Sequence, residues 1–113
     1  MTGLTGGRGQ ARFREANPLD APNPKFEVGQ IVITPAATAA LEASGQTLAE
    51  LLIRHQAGDW GDATEQVQAV NEQGLAHSLN LQSVYPVVSG QRLVVVTNRE
   101  RTMTMIHVEP GGR

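Results

Sequence analysis

Residues 79–108 read LNLQSVYPVVSGQRLVVVTNRERTMTMIHV, and along this stretch side chains of one kind return at every second position. Leu79, Leu81, Ser83 and Tyr85 fall on one face of a strand, and Leu93, Val95 and Thr97 on one face of the next. Thr102, Thr104, Ile106 and Val108 share a face of the last. Ser89-Gly90 and Asn98–Arg101 are turn sequences, because glycine, serine and asparagine tolerate the backbone geometry of a reversal. The stretch predicts a three-stranded antiparallel meander.

Upstream the period becomes helical. Thr34-Pro35 starts an alanine-rich helix that Gly45 closes, since threonine caps free amides and proline loses no bond at the first helical position. Thr47-Leu-Ala-Glu50 has capping-box spacing and leads into Leu48, Leu51, Leu52 and His55 on one face of a second helix ending near Ala57-Gly58. Asp62-Ala-Thr-Glu65 repeats that spacing before a third helix, whose inner face is Val67, Val70, Asn71, Gly74 and Leu75. Before them, the β-branched Gln30–Ile33 segment reads as a strand free to join the edge of the meander. The expected architecture is α+β, in the order β-α-α-α-β-β-β. Three short helices pack on one face of a three- to four-stranded antiparallel sheet.

Residues 1–25 mix glycine, proline and arginine without an apolar period and read as a flexible tail. Residues 26–110 form the single domain, and 111–113 a disordered C-terminus. At 113 residues and 12.1 kDa the chain is too small for two cores. It has no cysteine, which excludes disulfides, thiolate metal sites and a cysteine nucleophile. No apolar run reaches a membrane span or a signal peptide, so a cytoplasmic location without membrane partners is expected. Net charge is +2 over residues 1–25, −6 over 26–78 and +2 over 79–113, a balance that disfavours extensive duplex binding.

The chemistry-bearing residues are few. His55, His77 and His107 lie on separate elements, and the sequence holds neither a phosphate loop nor a Gly-x-Ser-x-Gly elbow, so no metal or cofactor is expected. His55 and Asn71 fall at inward helical positions, and Ser83, Tyr85, Thr97 and Thr104 on strand faces. Such a polar set is either a buried network or the lining of a cleft. Asp59 and Trp60, in Gly58-Asp-Trp-Gly61, either build the corner between two helices or contribute to a binding surface. Arg101 is placed to aim a planar donor fork at a phosphate or carboxylate.

The joint order of Arg54-His55, Gly58-Asp59-Trp60-Gly61, Asn71, Ser83-Val84-Tyr85, Gly90, Val96-Thr97 and Arg101-Thr102-Met103-Thr104 resembles a family of small uncharacterised proteins from plasmids, phages and other mobile elements. The resemblance runs from about Ile31 to Pro110 and implies a mobile-element context without supplying a reaction. Two functions follow as expectations. The first is an accessory or counter-defence protein that binds a host or element-encoded protein or a nucleic acid, with the strand edge inviting homodimerisation. The second is a metal-independent ribonuclease, similar at fold level to barnase-like and colicin-like toxins. There His55 is the acid/base, Arg101 the phosphate clamp, and Ser83, Tyr85 and Thr104 orient the phosphate, while Asp59, Trp60, Asn71 and Thr97 contribute binding.

Overall fold

The computed structural model describes residues 24–110. Its elements run β1 (Gln30–Ile33), α1 (Pro35–Ser44), α2 (Leu48–Gln56), α3 (Glu65–His77), β2 (Leu81–Pro86), β3 (Arg92–Thr97) and β4 (Met103–Val108). The α+β class and the element order are those the sequence predicts. The expected tail and C-terminus lie outside the described residues except for Pro24 and Lys25. Lys25 is tied down, donating its backbone N–H to the Gln56 carbonyl at 2.7 Å.

Local chemistry sets the helix ends. Thr34 accepts from the Ala37 amide with Pro35 at the first turn, and Gly45 closes α1 in the left-handed conformation. Thr47 and Glu50 form a complete capping box on α2, and a cap of this kind contributes about 1 kcal/mol. The third helix starts later than its Asp62–Glu65 spacing predicts. Thr64 is the cap, accepting from the Val67 amide, because Asp62 is engaged elsewhere as an ion-pair partner of Arg92.

The sheet has the order β1-β4-β3-β2 and is mixed, not purely antiparallel. The meander is antiparallel, with Leu81 opposite Thr97 and Thr97 opposite Thr104. β1 joins β4 in parallel, Ile31 beside Thr104 and Ile33 beside Ile106. Three intervening helices let the chain return to the far side of the sheet in the same direction, a path closed to a short hairpin.

A second difference concerns the helices. Only α1 and α2 cover the inner sheet face, burying Ala37, Ala40, Leu41, Leu51 and Leu52 against Leu93, Val95 and Ile106. Each fully buried leucine of this set contributes about 1.5–3 kcal/mol. α3 runs along the outer edge of β2 instead. There the Asn71 side chain accepts from the Gln82 amide at 3.0 Å and donates to the Gln82 carbonyl at 2.8 Å, standing in for a neighbouring strand. Val84, the next residue facing that edge, donates to the Trp60 carbonyl and accepts from the Asp62 amide. Gly61 bridges β2 there with φ near +67°, and a Cβ would lie 2.2 Å from the Val84 oxygen, so only glycine fits.

Candidate functional site

Four of the inward polar residues, His55, Ser83, Thr97 and Thr104, meet and form a sealed chain, whereas Asn71 and Tyr85 do not join it. His55, in the last turn of α2, is 0% exposed. Its Nδ1 lies 2.6 Å from Ser83 Oγ on β2, and its Nε2 lies 2.9 Å from Thr97 Oγ1 on β3. Thr97 Oγ1 is 2.6 Å from Thr104 Oγ1 on β4, and the Thr104 hydroxyl donates to the Val28 carbonyl at 2.8 Å. Ser83, Thr97 and Thr104 are each 0% exposed.

The proton positions follow from the last bond. A carbonyl accepts only, so the Thr104 proton points at Val28, and Thr97 must donate to Thr104. The Thr97 oxygen then takes the Nε2 proton of His55, which leaves Nδ1 as acceptor from Ser83. His55 is a neutral imidazole protonated on Nε2. Burial pushes its pKa down to about 3, and the nearby charge of Arg101 acts in the same direction.

Aromatic rings close the outside of this chain. Phe26 meets His55 edge-on at 5.0 Å, and Trp60 does so at 5.9 Å. Phe26 and Trp60 stack on each other at 6.2 Å. The indole N–H of Trp60 donates to Glu72 at 2.8 Å, joining the Gly-Asp-Trp-Gly corner to α3. Alternation places Phe26 two residues before Val28 in the approach to β1, but its contact with His55, 29 residues on, is long-range and escapes a sequence reading.

The remaining candidates stand apart. Tyr85 donates its hydroxyl to the Asp59 carbonyl at 2.6 Å and carries the Arg54 guanidinium over its ring, and burial raises its pKa. Asp59 pairs with Arg54 at 2.8 Å, a contact that holds its carboxyl below the usual range, and it also accepts from the Gly61 amide. Asn71 is the clamp on Gln82 already described. Arg101 donates to the carbonyls of Leu79, Asn98 and Gly74 at 2.7–2.9 Å, so its fork closes the C-terminal end of α3.

The open surface lies on the opposite face of the sheet. A groove of about 480 Å³ runs between α3 and the sheet, lined by Gln66, Val67, Val70, Asn80, Gln82 and Val96. A second depression of about 330 Å³ continues it over Met103, Met105 and His107, sharing Asn80 and Val96. Val70 is 50% exposed, and Met103 and Met105 are each 40% exposed. Among the described residues, no Asp, Glu, Lys or Arg lines either depression. Val70, expected on the inner face of its helix, faces this groove because α3 sits at the sheet edge. The available signal was β3, whose Val94-Val95-Val96 run is apolar on both faces.

Compared with protein-family models, with curated proteins and with solved structures, the chain matches none. No helix among the described residues is long and apolar enough to cross a membrane.

Proposed function

We propose that this chain is a non-catalytic interaction protein that holds an extended, uncharged segment of a protein partner in the groove between α3 and the outer sheet face. The observation that carries the reading is the lining itself. Val67, Val70, Val96, Met103 and Met105 supply an apolar floor, and Gln66, Asn80 and Gln82 supply side-chain amides. An amide donates and accepts, as a peptide group does, and methionine adapts to varied partner shapes. A phosphate backbone would find no cation there among the described residues.

The rest of the molecule supports binding over catalysis. Ribonuclease chemistry asks for an acid–base group that meets solvent and a cation free to meet phosphate. His55 is sealed, and the Arg101 guanidinium is occupied by three carbonyls. A binding role accords with the accessory, mobile-element context that the sequence resemblance implies.

The test is selection from a random peptide library, followed by methyl chemical-shift mapping with a selected peptide. Uncharged, apolar peptides should emerge and move Val67, Val70, Val96 and Met105. Met105→Lys should abolish that binding while leaving the melting temperature unchanged. Selection of strongly charged peptides, or shifts confined to another surface, would overturn the reading, as would RNA cleavage by the wild-type chain without metal.

A further inference from the structure

The two edges of the sheet are treated differently. At β2 every outward backbone group of Gln82 and Val84 has a partner, supplied by Asn71, Trp60 and Asp62. At β1 the opposite holds. Gln30 and Thr34 turn their amides toward β4, donating to the Thr102 and Ile106 carbonyls. Strand alternation then points the amides and carbonyls of Ile31 and Ile33 away from the sheet, where no described residue bonds them.

Among the described residues nothing guards this edge. Proteins protect open strand edges with charge, proline or bulges, and Gln30–Ile33 has none of these. Ile31, Val32 and Ile33 are only half-buried, although all three are β-branched and apolar.

We propose that two copies of the chain join through the free edge of β1, antiparallel about a twofold axis at Val32, giving one continuous sheet across both. The occupant is identified by symmetry. A twofold at Val32 sets Ile31 of one copy opposite Ile33 of the other, twice, and because both are isoleucine the two pairs join like β-branched side chains. Those are the residues whose backbone groups face outward, and each pair exchanges both N–H···O bonds. Paired residues share a sheet face, so the inner faces of both copies, with α1 and α2, lie on the same side. The uncharged strand brings no repulsion to the axis. The interface is isologous and short, which makes the dimer concentration-dependent.

The absence of cysteine makes the register directly readable. Val32 meets its own copy across the axis as a non-hydrogen-bonded pair, where Cα atoms lie about 4.5 Å apart. Gln30 is displaced from its copy by four residues, roughly 13 Å. Under mild oxidation Val32→Cys should cross-link about tenfold faster than Gln30→Cys, because a disulfide needs Cα atoms within about 7 Å. Met105→Cys, in the groove, should stay uncrosslinked.

Sedimentation of the unmodified wild type supplies a measurement free of any variant. Its mass should rise with concentration from 12.1 kDa toward twice that value. Val32→Lys should remain a monomer, and mixing it with Val32→Glu should restore association. A wild type that stays at 12.1 kDa up to millimolar concentration would overturn the proposal. Faster linking at Gln30 or Met105 would likewise assign the contact to another register or face.

Discussion

The Thr104 hydroxyl donates to the Val28 carbonyl at 2.8 Å, and that bond orients every proton back through Thr97 and His55 to Ser83. Four elements, α2, β2, β3 and β4, are thereby joined to the segment leading into β1 by a chain of bonds with one direction.

This direction fixes the state of His55. Nitrogen NMR should show the Nε2-protonated neutral tautomer, with no titration of this ring between pH 5 and 8. A ring that titrates near its ordinary 6.5 would show that solvent reaches it.

Stability should follow pH accordingly. The unfolded chain binds a proton at His55 below about 6.5, whereas the folded chain does so only near 3. Between those values the unfolded state holds more protons, so stability falls as pH falls, by at most about 1.4 kcal/mol per unit from this group. Above pH 6.5 the contribution is constant. Urea midpoints from pH 4 to 7.5, compared between the wild type and His55→Asn, isolate this slope; equal slopes would remove His55 as its source.

Thr97→Val keeps the shape of the side chain but takes away the acceptor of the Nε2 proton. Leaving that buried donor unpaired should lower stability by about 1–3 kcal/mol. Thr97→Ser, which keeps the oxygen, should lose less in chemical denaturation. A larger loss for serine than for valine would mean that packing, not the bond, dominates at this site.

Asn71→Leu should do two things at once. It strips the Gln82 amide and carbonyl of their partners, destabilising the fold by about 1–3 kcal/mol, and it uncovers the β2 edge. Light scattering should therefore rise together with the fall in denaturation midpoint. Asn71→Asp, which still accepts from the amide, should be intermediate.

Trp60→Ala should destabilise by roughly 3–5 kcal/mol, since the indole is 4% exposed and packs against Phe26 and His55. Thermal melts report this directly. An unchanged melt would detach Trp60 from the core.

Much of the fold was legible because its signals are local. Period-two alternation from Leu81 onward, the Thr47–Glu50 capping box and Gly45 each act within a few residues. The inward set containing His55, Ser83, Thr97 and Thr104 followed from the same periods. What the sequence could not convey was orientation between elements. Whether β1 runs with or against β4 depends on the path of three helices, and whether α3 lies over the sheet or beside it depends on Asn71 finding Gln82. Inward position alone groups Asn71 and Tyr85 with His55, yet each bonds to backbone elsewhere. The ambiguity between buried network and open cleft was resolved by Phe26 and Trp60, and the seat of Phe26 is set by long-range packing.

The parallel contact of β1 with β4 also governs the order in which the molecule can be completed. Among the described residues, the first strand to leave the ribosome has its neighbour only in the last, and the Val28 carbonyl meets its donor 76 residues later. During synthesis β1 and the exposed edge of β3 must wait together, so α1 and α2 cover an unfinished face until Val108 emerges. A ribosome-stalled chain ending before Met103 should consequently be open to proteases throughout residues 24–102, and release of the last strand should protect this stretch in a single step.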